Sequence, residues 1–287
     1  SGVITGKTSY SFYFQDGTSD YSGVYVYVNG DVSDYSVGDN VTVQGTVAEN
    51  YGLTQISSVA DITVNSTGNT LPETTVLSTS SLSEAHEGMF VKVSGECTDV
   101  STNAGSDHWA FKLDDGTGDA LVDDQIFSNA ENAAMVGSPY EVVGVVNYYF
   151  NAFTVNPRDA ADVIEIVTTY SANFSIDMNG TGYPNANYSS VVINGSWNGW
   201  EGWGVELLDA DGDGVYTGTK ADLADGSVVE FLIAATGSAD GWSGWGVVFN
   251  APIGSECDWN PNDEYGNYGF TVAGADVDAS YCAGTCA

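Results

Sequence analysis

Bulky apolar and β-branched residues alternate with smaller or polar ones over residues 10–14, 24–28 and 41–47, a pattern that predicts strands. Asp16-Gly17, Asn29-Gly30-Asp31 and Val37-Gly38-Asp39 interrupt these runs where tight turns are needed. Helical spacing is confined to two short stretches, 83–87 and 129–135, each good for a turn or two. The pattern predicts an all-β protein. No stretch approaches the roughly 18–20 apolar residues of a membrane-spanning helix, so membrane insertion is not expected.

An internal repeat sets the expected domain count. Phe12, Asp16, Gly17, Thr18, Gly38, Val43, Gly45 and Val47 recur as Phe111, Asp115, Gly116, Thr117, Gly137, Val142, Gly144 and Val146, a constant spacing of 99 residues (12 to 111, 47 to 146). Each copy closes on a similar strand, near Leu53-Thr54-Gln55-Ile56 and Ala152-Phe153-Thr154-Val155. Two tandem small barrels are expected over 1–72 and 73–167, with a third domain over 168–287.

That third domain holds six of the seven tryptophans: Trp197, Trp200, Trp203, Trp242, Trp245 and Trp259. Two clusters are nearly identical, Gly199-Trp200-Glu201-Gly202-Trp203-Gly204-Val205 and Gly241-Trp242-Ser243-Gly244-Trp245-Gly246-Val247. Alternating Trp and Gly is a poor recipe for a packed core, because glycine adds no side chain and weakens a strand. It suits a surface on which indole faces stack against a ligand ring. Trp is nonetheless highly buried on average, so about half of these indoles are expected in the core.

Charge narrows the function classes. The chain carries 39 acidic and five basic residues, a formal charge of −34. Lys7, Lys92, Lys112, Arg158 and Lys220 are scattered, so no basic stripe exists to neutralise phosphates and nucleic-acid binding is not expected. The same balance opposes binding to anionic membranes and suits a salt-exposed secreted protein. The sequence opens on strand-like Gly2-Val3-Ile4-Thr5 with no signal peptide, as either a processed or a cytoplasmic chain does. The cysteines favour the processed, oxidised alternative. One disulfide is expected among Cys257, Cys282 and Cys286, while Cys97 reads as a buried strand thiol.

Two resemblances follow from these motifs. Phe12-Tyr13-Phe14-Gln15-Asp16-Gly17, then Gly23-Val24-Tyr25-Val26-Tyr27, then the run from Val37 to Gly45, resemble the OB-fold domains of secreted bacterial modular proteins. The second copy, with Glu87-Gly88-Met89-Phe90-Val91-Lys92-Val93, is similar, so the likeness covers about the first three-fifths of the chain. OB-folds commonly bind oligonucleotides or oligosaccharides. These two offer few cations, only Lys7, Lys92, Lys112 and Arg158, and a spacer role is expected for both.

The final segment, with Val191-Val192-Ile193-Asn194-Gly195-Ser196-Trp197-Asn198-Gly199-Trp200, resembles immunoglobulin-like carbohydrate-binding modules of the starch- and glycogen-binding type, as appended to marine polysaccharide-degrading enzymes. That resemblance implies sugar stacking on Trp200. Trp242 or Trp245 would complete the platform, although the motif around them departs from the family's. Trp203, Trp259 and Tyr265 are further candidates, and an extracellular or cell-surface bacterial protein is implied.

Asp209, Asp211 and Asp213 alternate with Ala210, Gly212 and Gly214, as in the first half of a calcium loop. The closing Glu is missing, since the twelfth position is Lys220, so an Asp-Gly turn that caps its own backbone is the alternative reading. Asp114-Asp115 and Asp123-Asp124 read as solvated turns. His86 and His108 are the only histidines, and no nucleophile elbow, His-based metal motif or phosphate loop accompanies them, so the chain reads as non-catalytic. The expected function is polysaccharide binding. A subunit of an extracellular fibre or surface layer, assembling head-to-tail by self-association, is the alternative. An accessory region of a secreted nuclease is a third reading that the charge opposes.

Overall fold

The computed structural model describes residues 1–103, 107–128 and 130–286. The chain is all-β and divides into two compact units, Ser1–Ile166 and Val167–Ala287. Both barrels lie in the first unit. The two predicted helical stretches become single 3-10 turns, Glu84–His86 and Ala130–Asn132. Asn129, which opens the second stretch, lies outside the described residues. Among the described residues no helix is long and apolar enough to cross a membrane.

In the first barrel, β1 (Gly2–Lys7), β2 (Ser11–Gln15) and β3 (Gly23–Tyr27) form a meander, followed by the long hairpin β4 (Asn40–Asn50) and β5 (Leu53–Ser66). The order β1-β2-β3-β5-β4 closes on itself: β5 lies parallel to β3, with Tyr25 opposite Gln55, and β4 returns to β1. The second barrel repeats this with β7 (Phe90–Val100), β8 (Phe111–Asp114), β9 (Ala120–Val122), β10 (Pro139–Tyr149) and β11 (Ala152–Asn156). Again the fifth strand is parallel to the third, and β10 closes on β7. Two short strands, β6 (Thr75–Leu77) and β12 (Val163–Glu165), extend this sheet along β7 and β10. These are OB-like barrels, and the 99-residue repeat is the repeat of their topology.

Equivalent positions do not always share burial. Phe12 and Phe111 each sit at 0% exposure in their barrel core. Val47 is 72% exposed, whereas its counterpart Val146 is fully buried. β4 pairs with β1 only through Asn40 and Val41, which leaves the strand around Val47 open on that side, whereas β10 pairs with β7 from Pro139 to Val145.

The barrels are joined by an apolar seam. Tyr13, Tyr25 and Leu53 of the first pack with Phe90 and Val145 of the second into one buried cluster. Strand β2 thus buries Phe12 and Phe14 on one face and Tyr13 on the other, leaving no solvent face. Burying such side chains contributes about 1.5–3 kcal/mol each. Polar contacts reinforce the seam: Phe90 N–H donates to Gln15 Oε1 at 2.7 Å and Thr54 N–H to Glu87 Oε1 at 2.7 Å. Gly23 and Gly88 meet backbone to backbone, where either Cβ would collide. The barrels therefore form one compact unit.

Asp123 corrects the reading of Asp123-Asp124 as a solvated turn. It is buried, its N–H donates to Val155 O at 2.9 Å, and burial raises its carboxyl above the ordinary range.

The second unit is a two-sheet sandwich. One sheet has the order β16-β13-β20, built from β13 (Thr169–Asp177), β16 (Val215–Ala224) and β20 (Val277–Cys282). The other has the order β15-β14-β17-β18, from β14 (Ser190–Gly195), β15 (Val205–Leu207), β17 (Val228–Thr236) and β18 (Val247–Phe249); β19 (Tyr268–Thr271) pairs with the first half of β17. Phe174, Ile176, Ile193, Phe231 and Tyr268 fill the space between the sheets.

The seam carries a pH dependence. Glu87 is 7% exposed and its Oε2 has no partner. Burial pushes its carboxyl from the ordinary 4.5 up to about 7; the Thr54 N–H opposes the shift, while Glu84 and Glu49 add to it. Between these values the unfolded chain has released the proton and the folded chain still holds it, so this group's contribution falls as pH rises. The variant Glu87→Gln is expected to match the wild type in thermal stability near pH 4.5 and to exceed it at pH 8. Melting curves across that range, read as the difference between the two proteins, test this.

Candidate functional site

The tryptophan clusters are two loops, 196–204 and 237–246, that leave adjacent antiparallel strands β14 and β17 and return as the edge strands β15 and β18. They repeat at a spacing of 42 residues (Trp200 to Trp242, Val205 to Val247). Each begins with a 3-10 turn, Ser196–Asn198 or Ser238–Asp240, ended by a left-handed glycine, Gly199 or Gly241. The next residue, Trp200 or Trp242, also has positive φ, near +65° and +63°. Its N–H donates back to Gly195 O at 3.2 Å or Gly237 O at 2.9 Å. Bulky residues rarely adopt this conformation, and here the same hydrogen bond holds it in both loops.

The glycines between the tryptophans let the two loops touch. A Cβ on Gly244 would stand 2.6 Å from Trp203 N, and one on Gly202 would collide with Ser243 O. Beneath the contact lies Asn194, fully buried on β14. Its Nδ2–H donates to Gly244 O at 2.7 Å and its Oδ1 accepts from Gly204 N–H at 3.0 Å, tying one loop to the other. At the equivalent position Thr236 Oγ1 accepts from Gly244 N–H at 2.9 Å and donates to Asp240 Oδ2 at 2.7 Å. Asp240 also accepts from Gly237 N–H and from both the N–H and the hydroxyl of Ser243. Burial works against its charge, but the hydrogen bonds from Ser243, Gly237 and Thr236 outweigh it and hold the carboxyl well below the usual range. Sequence reading missed Asn194, Thr236 and Asp240. Extending the 42-residue repeat upstream, to Asn194-Gly195-Ser196 and Thr236-Gly237-Ser238, was the available signal.

The indoles divide by partner. Trp197 alone packs on the main core, with its ring centroid 6.2 Å from Phe174, so fewer indoles are internal than expected. Trp200 lies over Val192, Leu232 and Ala234, which point away from that core. It serves as a cover for the outer sheet face. Trp203 and Trp242 stack with centroids 6.1 Å apart and planes 29° apart, and Trp203 Nε1–H donates to Trp242 O. These two rings are 38% and 47% exposed, and Trp245 is 36% exposed. Trp259 lies against Gly269 on β19, where a Cβ would collide with the indole. Since Tyr268 and Phe270 face the core, Gly269 faces outward, and Trp259 covers the same outer sheet face as Trp200. Tyr265 is 65% exposed on the loop before β19.

Asp209, Asp211 and Asp213 are brought together, each offering a carboxylate oxygen within 4.8 Å of the others. The hydrogen bonds around them are those of a self-capped turn. Asp209 accepts from Gly212 N–H at 2.7 Å and Gly214 N–H at 3.1 Å, and Asp213 from Val215 N–H at 2.8 Å. Lys220 lies on β16, beyond the turn. These bonds engage Asp209 and Asp213, and Asp211 takes part in none of them.

Cys257 and Cys286 form the disulfide, with Cα atoms 5.3 Å apart, so Cys282 is left as a free thiol. Cys97 is a buried free thiol on β7. Asp115 is drawn down to about 2 by hydrogen bonds from the Thr117 and Thr79 hydroxyls and helps close the β8–β9 turn. His86 sits in its 3-10 turn near Ser83 Oγ at 3.2 Å, and His108 stacks on Phe150.

No protein-family model matches this chain, and no curated protein sequence matches it.

Two measurements test this construction. Asn194→Ala strands the Gly244 carbonyl and the Gly204 N–H, and is expected to cost about 1–3 kcal/mol in denaturant unfolding. Excess chelator is expected to leave the melting temperature unmoved, because backbone N–H groups already satisfy Asp209. A rise on adding calcium that disappears in Asp209→Ala would assign a bound ion instead.

Proposed function

We propose that this is a non-catalytic, extracellular or cell-surface protein that binds a polysaccharide on the indole surface of its second unit. The observation that carries this reading is the Trp203–Trp242 pair, two half-exposed indoles held in one stack by a hydrogen bond and by loops locked through Asn194. Rigid exposed rings present large apolar area with little torsional freedom left to lose, which suits stacking against the C–H faces of sugar rings. Trp245, next in the chain and also exposed, extends the surface. The reading moves the sugar contact from Trp200, which is occupied with covering Val192, Leu232 and Ala234, to Trp242 and Trp203. The Cys257–Cys286 disulfide supports an oxidising, extracellular setting. The net charge of −34 favours an uncharged glycan over an anionic one.

Trp242→Ala is expected to weaken binding to an immobilised neutral polysaccharide about tenfold, with little change in melting temperature. Trp200→Ala is expected to do the reverse, lowering stability by about 1–3 kcal/mol as its apolar patch is uncovered. Affinity electrophoresis in gels containing starch, laminarin, xylan or mannan, paired with thermal melts, measures both. Unchanged mobility of the wild type in all four gels would remove this reading.

A further inference from the structure

We propose that the cleft between the two barrels of the first unit is a binding site for an uncharged oligosaccharide, separate from and independent of the indole surface. The cleft has a volume of about 880 Å³, within the roughly 300–1,000 Å³ of ligand pockets. Both barrels build it. Tyr10, Tyr25 and Tyr27 come from the first, and Asn147, Tyr148 and Tyr149 from the second.

The lining has a restricted chemistry. Its described residues are aromatic rings, carboxamides and Leu53, and none of them is an acid, a lysine, an arginine or a histidine. That is notable in a chain with 39 acidic residues. Without a cation the cleft has nothing to neutralise a phosphate or carboxylate, which removes nucleotides and uronates as ligands. With one aliphatic side chain and several amides it is equally unsuited to a purely apolar ligand, which would desolvate the amides without pairing them. Sugars meet both demands. Their C–H faces stack on rings, and their hydroxyls both donate to and accept from carboxamides.

Two further observations point to a ligand. Asn147 is 1% exposed, and its Nδ2–H donates to Gln125 Oε1 at 2.7 Å, but its buried Oδ1 has no partner. An acceptor of this kind is costly to bury unless a donor such as a sugar hydroxyl reaches it. The second observation is backbone strain placed identically in both barrels. The β4–β5 and β10–β11 hairpins have two-residue tips, Tyr51-Gly52 and Phe150-Asn151, with positive φ at both positions. Turns of this type favour Asn or Gly first, because a bulky side chain resists positive φ. Here an aromatic ring takes that position in each copy, Tyr51 at φ +54° and Phe150 at φ +46°. Neither ring is needed for a core, since they are 97% and 60% exposed, yet both line the cleft. Phe150 is further fixed by a parallel stack on His108 with centroids 3.6 Å apart. Strain retained for an exposed ring is accounted for by contact with a ligand.

The test uses the full chain carrying Trp203→Ala, Trp242→Ala and Trp245→Ala together, so that the exposed indoles do not contribute. Titration calorimetry with maltohexaose, cellohexaose, laminarihexaose and mannohexaose is expected to detect binding of at least one. Adding Tyr51→Ala and Phe150→Ala together is expected to lower that affinity at least about tenfold. The melting temperature should move by less than about 2 °C, because both rings are exposed. A hexauronate and a six-nucleotide oligothymidylate are expected not to bind. The proposal is overturned if none of the four neutral sugars binds, if the Tyr51 and Phe150 changes leave affinity intact, or if a charged probe binds in preference. Each of these outcomes leaves the indole surface to be judged separately by its own variant.

Discussion

Strands in both units are apolar on both faces, and each second face has to be covered. A strand places successive side chains on opposite sides, so one buried face ordinarily leaves the other to water. Here β2 buries Phe12 and Phe14 inward and Tyr13 outward, and β10 buries Val142 and Val146 inward and Val145 outward. In the sandwich, β14 and β17 send Ile193 and Phe231 into the core while Val192, Leu232 and Ala234 point the other way. The covering is solved differently in each unit. In the first, one barrel covers the other. In the second, the tryptophan loops fold back over their own sheet.

Each solution leaves aromatic rings exposed at its border. Where the barrels meet, the seam opens into a cleft lined by tyrosines and carboxamides. Where the loops cross the sheet, Trp200 is spent on the apolar patch and the Trp203–Trp242 pair remains outside it. Both surfaces carry aromatic residues in backbone conformations that such residues rarely adopt, Tyr51 and Phe150 at the cleft and Trp203 and Trp242 on the sandwich loops. Rings fixed before a ligand arrives lose little further freedom on binding.

Buried polar groups set the limits of this arrangement. Asn194 is satisfied on both sides of its amide and locks two loops together. Glu87 and Asn147, by contrast, each keep an unpartnered buried oxygen at or near the barrel seam. The first responds by holding its proton to about pH 7, and the second cannot titrate. An amide in that position keeps its acceptor at any pH, which is what a neutral ligand site requires.

The sequence by itself determined the all-β class, the repeat of the two barrels and the last-domain tryptophan loops, because strand alternation, Asp-Gly turns and a fixed repeat spacing are local and periodic. It identified Cys97 as a buried thiol and left the pairing among the three C-terminal cysteines open; the fold chose Cys257 with Cys286. Continuous apolar runs such as Phe12-Tyr13-Phe14 and Val191-Val192-Ile193 do signal strands buried on both faces, but they do not name what covers them. Only tertiary structure decided that Tyr13 faces a second barrel, that Trp200 is a cover and Trp242 half-exposed, and that Asn147 ends in a cleft with Tyr51 and Phe150 from opposite hairpins. Those outcomes depend on contacts between residues tens of positions apart, which no local period encodes.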